Sequence, residues 1–365
     1  KIALVHDYLT QLGGGERVLL ALCEMFSEAP IFTLIYDEKA TNGIFKNREI
    51  HVSFLQKIPG SKKYFRGFIW LMPLAIEQFD LSEYDLVISV SHSYGKGVIT
   101  KPGTKHICYC LTPTRYLWHD ASRHLVFGFF SKPLLSYLRI WDYQAAQRPD
   151  YFIACSENVR QRIKKYYGRE SKVIYPPVNA NNFNNLNNLN NYNGYFLMVG
   201  RLVPYKRFDI AIEAFSKMPE EKLLIIGEGP EYKKLKIKIQ KSKLKNVGLK
   251  GRISDEELMK YYANCKALIF PQEEDFGIVP IEAMASGKPI IAYRTGGALE
   301  TVKEGETGLF FDEQTAEALA EAVRNFDPKK FNPEKIKKRA QKFDKSVFKN
   351  KIDLFIKRCY IAKRR

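Results

Sequence analysis

Phe270-Pro271-Gln272-Glu273-Glu274-Asp275-Phe276-Gly277-Ile278-Val279-Pro280-Ile281-Glu282-Ala283-Met284-Ala285-Ser286-Gly287 is the most informative stretch of this 365-residue chain. The apolar run Ala267–Phe270 ends in an acidic loop, and a helical pattern opens at Gly277 and runs through Ala285. Strand, loop and helix in that order are the unit from which doubly wound sheets are built. Glu274 stands in the loop and Glu282 in the helix, and two glutamates at such a spacing also arise by chance. The context is what makes them a site. Gly277 lets a ligand approach the backbone closely. The first N–H groups of a helix lack intrahelical partners and sit at the positive end of its dipole, so Gly277, Ile278 and Val279 can take phosphate or sugar oxygens. Pro280 suits a first turn because no N–H is wanted from it there. Glu282 can then accept two hydroxyls of a ribose.

The same alternation extends in both directions. Strands are expected at Ile2–Val5, Ile31–Tyr36, Leu86–Val90, His106–Cys110, Tyr151–Cys155 and Val173–Tyr175, with helices at Glu16–Phe26, Leu134–Gln147 and Glu157–Tyr167 among them. An asparagine-rich run, residues 179–194, interrupts the pattern and reads as a linker or expanded loop. Strands resume at Tyr195–Val199, Leu223–Ile226, Val247–Lys250, Ala267–Phe270, Ile290–Tyr293 and Leu309–Phe311. The expected organisation is an N-terminal Rossmann-like domain over 1–178, the linker 179–194, and a second Rossmann-like domain over 195–345. A basic C-terminal helix over 346–365 is expected to pack back on the first domain. Two such domains facing a cleft give a frequent place for ligands.

Several junctions carry ligand-type groups. Arg201 sits just past one strand end and Lys206 just before the helix Phe208–Met218, where two cations can hold a diphosphate, Arg by a forked contact and Lys as a point charge. Basic loop residues are also common on solvated surfaces. Gly227-Glu228-Gly229 reads better as a tight strand-to-helix turn than as a ligand contact. Gly13-Gly14-Gly15 joins the first strand to the first helix and permits close backbone approach by a phosphate or by the reacting sugar. His6, His92 and His119 are the histidines expected to face the cleft, although a histidine satisfied within the structure is the commoner case.

With 45% hydrophobic and 27% charged residues the chain is a soluble globular protein, not a disordered one, and its length suits two domains. No apolar run reaches the length of a membrane-spanning helix, and the N-terminus reads as a strand without the apolar core of a signal peptide. The six cysteines, at 23, 108, 110, 155, 265 and 359, form no C-x-x-C pair, so buried thiols in a reduced cytoplasmic compartment fit best. The net charge of +18 favours anionic partners: phosphorylated substrates, anionic lipid or nucleic acid. No helix-turn-helix, zinc-finger or RNA-binding aromatic signature accompanies it, so nucleic acid is not expected. The segments Phe54–Leu71 and Val126–Leu135 mix Lys and Arg with large apolar residues, as a segment in an anionic membrane interface would. A core helix with snorkelling lysines reads the same way.

Together these motifs resemble the retaining glycosyltransferases of family 4, which have the two-domain GT-B fold. The most specific parts are the E-x7-E segment Glu274–Glu282 and Gly200-Arg201 with Lys206. The Gly13–Gly15 loop and Tyr109-Cys110-Leu111-Thr112-Pro113-Thr114-Arg115-Tyr116 are similar to members acting on surface polysaccharides, several of them mannosyltransferases. The resemblance implies that Arg201 and Lys206 bind the donor diphosphate, Glu282 the nucleotide ribose and Glu274 the transferred sugar. Phe276, Gly277 and Ile278 would supply backbone contacts, and Gly14 and Gly15 would close on the diphosphate from the first domain. His92, Arg115 and His119 are candidates for sugar or acceptor contacts. One departure stands out: many relatives carry histidine near the donor sugar where this chain has Leu111, so that histidine's role does not transfer.

The resemblance implies transfer of a hexose, with retention, from a GDP- or UDP-linked donor to a glycan or lipid-linked oligosaccharide. GDP-mannose is the first expectation for the donor. No cofactor is expected, and the lack of an Asp-x-Asp at a strand end implies no metal. The expected location is the cytoplasm, with contact to the inner face of the membrane. Readings left open are a UDP-sugar-dependent transferase, a nucleotide-sugar epimerase, a sugar-binding protein without turnover and a basic nucleic-acid-binding α/β protein.

Overall fold

The structure, a computed structural model, describes residues 1–119, 131–183 and 194–361. Residues 184–193 of the asparagine-rich run and residues 126–130 of the second basic-aromatic segment lie outside the described residues. The chain divides into two compact units, Lys1–Pro177 with Phe348–Arg365, and Val178–Val347.

The first unit is built on seven parallel strands: β1 (Ile2–His6), β2 (Ile31–Thr33), β3 (Ile50–Val52), β4 (Leu86–Ser91), β5 (Lys105–Cys110), β6 (Tyr151–Ala154) and β7 (Ser171–Val173). Their spatial order is β3-β2-β1-β4-β5-β6-β7. The central strands β1, β4 and β5 are buried almost end to end, as near-continuous apolar runs must be when helices cover both faces. The second unit carries six: β8 (Phe196–Val199), β9 (Leu223–Ile226), β10 (Val247–Lys250), β11 (Ala267–Phe270), β12 (Ile290–Tyr293) and β13 (Gly308–Phe311), in the order β10-β9-β8-β11-β12-β13. Both units are therefore doubly wound α/β sheets, as expected.

β3 is the strand that hydrophobic periodicity does not reveal. It is three residues long, lies on the sheet edge and has no fully buried residue, so it shows neither an apolar run nor a sustained alternation. The strand expected over Ile31–Tyr36 stops at Thr33, beyond which Leu34 donates its N–H to Asp7 O. Helix ends carry their expected chemistry: Ser156, Ser254 and Thr315 each cap a helix by accepting from the N–H three residues on, and Gly168 closes one in the left-handed conformation. The described part of the asparagine-rich run is a single turn, Ala180–Phe183, whose Phe183 ring lies edge-on to Tyr262. The last helix, Lys345–Ile361, places Phe348, Ile352 and Cys359 in the core of the first unit. All six cysteines are buried, and none of them forms a disulfide.

What positions a site is the direction in which strands are added. In each sheet the order reverses once, between β1 and β4 in the first unit and between β8 and β11 in the second. At such a switch point the loops leaving the two strands diverge, and the crevice outside their carboxyl ends is where open α/β sheets bind ligands.

Candidate functional site

In the second unit the switch point gathers the residues singled out from sequence. β8 delivers Gly200 and the exposed Arg201, and the turn Pro204–Lys206 delivers Lys206. β11 delivers Gln272 and Glu274, and the Ile278–Ala285 helix follows. Lys206 Nζ lies 3.0 Å from Glu274 Oε1, with both side chains largely out of solvent. Burial works against the lysine's charge, but Glu274, then Tyr205 and Glu282, outweigh it and hold the ammonium above its ordinary value. Gln272 Nε2 donates to the same Glu274 oxygen at 3.2 Å. Gln272 is itself buried, and its Oε1 has no hydrogen-bond partner.

Backbone packing fixes these groups. A side chain at Gly200 would meet Lys206 Nζ at 2.8 Å, so glycine here is what lets the ammonium lie against the β8 end. Gly227 and Gly229 serve that same strand end: a Cβ on Gly227 would sit 1.9 Å from Gly200 O, and one on Gly229 2.4 Å from Leu202 O. Those glycines are structural, in keeping with the tight-turn reading. On the other side, Gly297 N–H donates to Glu274 O at 2.8 Å, and a Cβ on Gly297 would lie 2.3 Å from Phe276 Cα. The loop after β12 therefore clamps the acidic loop.

Gly277 is the N-cap of the Ile278–Ala285 helix at φ 88°, a left-handed conformation that disfavours any side chain. Phe276 is buried against Phe343. Glu282, in the second turn, is buried and accepts from Tyr262 Oη at 2.9 Å. The result is a fixed cation, a carboxylate beside it, a helix N-terminus and a second carboxylate beyond. A diphosphate reaching Lys206 would compete with Glu274 for the ammonium and free that carboxylate for sugar hydroxyls.

In the first unit, Gly13 is the N-cap and Gly14 the first residue of the Gly14–Met25 helix, with Glu16 reaching back to accept from Gly13 N–H at 2.8 Å. Gly15 is approached by Leu111, whose Cδ1 would stand 2.7 Å from an added Cβ. Leu111 is thus an apolar cover on the glycine loop.

The switch point between β1 and β4 holds a group that sequence reading passes over. Asp7, directly after β1, is fully buried. Its carboxylate accepts from the N–H groups of His92, Ser93, Tyr94 and Gly95 at 2.5–3.0 Å and from Ser91 Oγ at 3.0 Å. Successive N–H groups in a turn make an anion nest, and here the protein fills the nest itself. His92 Nδ1 lies 2.5 Å from Asp7 Oδ2, and Nε2 is 2.9 Å from Tyr8 Oη. Burial resists charge on both Asp7 and His92. Their mutual attraction overrides it, holding Asp7 well below the usual carboxylate range and, with Tyr8, lifting His92 to about 10. The signal in sequence was one aspartate after a strand, too little to single it out.

The remaining candidates stand apart from this pair. His119 is exposed, with Nε2 3.4 Å from an Arg162 nitrogen. Arg115 is half-buried in the loop after β5. Thr114, in that same loop, joins Lys96, Trp118 and Tyr167 around the buried Asp142 carboxylate. Among the described residues no group of three or more His, Cys, Asp or Glu side chains is arranged to hold a metal ion. No described helix is long and apolar enough to cross a membrane.

Two family models together match nearly the whole chain: Glycosyltransferase Family 4 over residues 12–182 and Glycosyl transferases group 1 over residues 180–343. An uncharacterized glycosyltransferase of Methanocaldococcus jannaschii is 32% identical over 49% of this chain and 50% of its own length. A GDP-mannose-dependent alpha-(1-6)-phosphatidylinositol monomannoside mannosyltransferase of Mycolicibacterium smegmatis is 33% identical over 36% of this chain and 38% of its own. The chain thus spans about half or less of the length of these curated relatives. Among solved structures, Anabaena Alr3699/HepE, crystallised with UDP-glucose, superposes with a TM-score of 0.72 over 98% of this chain and 99% of its own at 20% identity, a likeness of fold. With both sheets, their switch points and both family models in agreement, the chain has the GT-B fold and carries a Glycosyltransferase Family 4 domain in its first half and a Glycosyl transferases group 1 domain in its second.

Proposed function

We propose that the protein is a retaining glycosyltransferase that moves a hexose, mannose from GDP-mannose in the first instance, onto a glycan or lipid-linked glycan and forms an α-linkage. The observation that carries this reading is the Lys206–Glu274 pair at the β8/β11 switch point, beside the Gly277-capped helix that bears Glu282. Lys206 and Arg201 would hold the diphosphate, Glu282 the ribose and Glu274 the sugar, with Phe276, Gly277 and Ile278 presenting backbone groups. In the first unit Gly14 and Gly15 would approach the diphosphate, and the acceptor would meet His92, Arg115 or His119.

The barrier to transfer is loss of the nucleotide diphosphate as positive charge builds on the sugar ring. A fixed ammonium and a helix N-terminus stabilise the leaving group without reorganising at the moment of reaction. Departure and attack on the same face need no protein nucleophile, because the leaving phosphate oxygen can take the acceptor's proton. No metal enters this scheme. Full transfer in EDTA is expected, and loss restored by Mg²⁺ or Mn²⁺ would refute it. The mannosyltransferases among the relatives support GDP-mannose, while the UDP-glucose bound by Anabaena Alr3699/HepE supports a UDP-sugar as the second reading. A thermal-shift screen against GDP-, UDP- and ADP-sugars decides between them, since a ligand that binds only the folded state raises the melting point. No shift with any of the three would sink both.

The acceptor's lipid link implies contact with the inner face of a membrane. The basic, apolar surface of the first unit supports that part of the reading.

A further inference from the structure

Among the described residues, both polar contacts of the Glu274 carboxylate fall on one oxygen. Lys206 Nζ lies 3.0 Å from Oε1, and Gln272 Nε2 donates to the same atom at 3.2 Å. Oε2 takes neither. A carboxylate only accepts, so the end of the Gln272 amide that meets it is the NH₂ group. That orientation works against the fold. Gln272 is 2% exposed, and a buried amide oxygen left without a donor, as its Oε1 is, disfavours the folded state. Nor is the side chain needed to hold the acidic loop. Gln314 Nε2 donates to Pro271 O at 2.8 Å, with Arg207 Nη1 donating to Gln314 Oε1 at 3.0 Å. Gly297 N–H donates to Glu274 O at 2.8 Å. The backbone on both sides of Gln272 is therefore anchored by residues from other elements. What remains for the Gln272 amide is the Glu274 carboxylate.

We propose that Gln272 is a positioning residue that keeps the Glu274 carboxylate held and aimed at the transferred sugar once Lys206 engages the diphosphate. This rests on the glycosyltransferase reading. A diphosphate that takes Lys206 removes the cation from Glu274 Oε1, and Gln272 is the donor that stays. The last torsion of a glutamate is broad, so a carboxylate without a partner turns easily. One held oxygen stops it and leaves Oε2 to accept from a sugar hydroxyl. A neutral donor suits this task. A second cation here would draw the diphosphate to itself or cancel the carboxylate's charge, and an amide does neither. Lys206 thus answers to the diphosphate, and Gln272 keeps Glu274 in place for the sugar.

The test measures dissociation constants by titration calorimetry on the full chain, as wild type, Gln272→Met, Gln272→Ala, Glu274→Ala and each Gln272 substitution combined with Glu274→Ala. The ligands are whichever of GDP-mannose, UDP-glucose and ADP-glucose raises the wild-type melting point, and the matching nucleoside diphosphate. Methionine is unbranched and adaptable, and it removes the unpaired oxygen together with the donor, so the melting point of Gln272→Met is expected to hold or rise. Both Gln272 variants are expected to bind the nucleotide sugar at least fivefold more weakly and the nucleoside diphosphate within twofold of wild type. With Glu274 already alanine, either Gln272 substitution is expected to change nucleotide-sugar affinity less than twofold, because a residue that acts through Glu274 has nothing left to act on. Three results would each overturn the proposal and leave the glycosyltransferase reading standing: both ligands weakened alike, the same loss with and without Glu274, or an unchanged nucleotide-sugar affinity. Loss of folding in both Gln272 variants would assign the residue to the fold and overturn it as well. A wild type whose melting point no nucleotide sugar raises overturns the glycosyltransferase reading and this proposal with it.

Discussion

On the proposed reading, Lys206 and Glu274 are worth more to the reaction than to the fold. A buried ion pair recovers little net stability, because desolvating both charges offsets most of their attraction. On the proposed reading, its role is to hold a cation where a diphosphate leaves. Lys206→Ala, Glu274→Ala and Arg201→Ala are each expected to lower kcat at least tenfold, about 1.4 kcal/mol of transition-state stabilisation. Full turnover in all three folded variants would refute the assignment. These residues were legible because each stands at a strand-to-helix junction within a few positions of its partners in a motif. Asp7 was not, because its importance comes from N–H groups 85 to 88 residues away, a relation no local pattern records. The Asp7–His92 pair also makes a prediction about pH. Asp7 is depressed, so its share of stability is present above its ordinary value near 3.8 and is lost as pH falls toward its folded value. His92 is raised from 6.5 to about 10, so its share is complete below pH 6.5 and drains away as pH rises to about 10. The melting-point gap between wild type and His92→Gln should therefore be widest between about pH 4 and 6.5 and narrow toward pH 10. A gap constant from pH 5 to 10 would contradict the pairing.

Among the elements, long apolar strands and periodic helices were readable and the connections between loops were not. All six of the second unit's strands start and end within one residue of expectation, because each is a short apolar run between turn residues. The clamp on the acidic loop was invisible, since Gly297 belongs to a loop that follows the next strand along. That clamp can be tested. An alanine at 297 brings Cβ to 2.3 Å from Phe276 Cα, a backbone collision that no side-chain rotation relieves. The loop must shift, taking Glu274 O and the Gly277 cap with it. Gly297→Ala is expected to weaken donor binding at least tenfold by thermal shift and to lower the melting point. Gly67→Ala, whose Cβ would meet nothing within 4 Å, should change neither. Equal donor affinity in the two variants would show that the acidic loop does not depend on its neighbour.

For the molecule as a whole, a charge of +18 becomes informative once the structure shows where large apolar side chains join it. In the first unit Tyr64 (62% exposed), Trp70 (54%) and Leu74 (60%) project from the segment that also carries Lys57, Lys62 and Lys63. Tyr137 (52%) and Ile140 (67%) project from the Ser131–Ala145 helix. Trp141 Nε1 donates to Glu77 at 2.8 Å, so that helix and the Met72–Glu77 helix are neighbours. Scattered exposed hydrophobics need no explanation, but five within two adjacent segments, beside lysines, do. Lysines near an anionic surface contribute about 1 kcal/mol each and lose most of it to screening at high salt, while aromatic and aliphatic side chains gain by entering the interface. The chain is therefore expected to float with phosphatidylserine or phosphatidylglycerol vesicles at low salt, to be released at high salt, and to ignore phosphatidylcholine vesicles. Trp70→Ser with Ile140→Asp should reduce flotation while leaving the nucleotide-sugar thermal shift intact, because neither residue lies at a switch point. Flotation unchanged by both substitutions would reduce the attraction to net charge alone. No flotation at low salt would remove the membrane from the account and leave a soluble glycan as the acceptor to pursue.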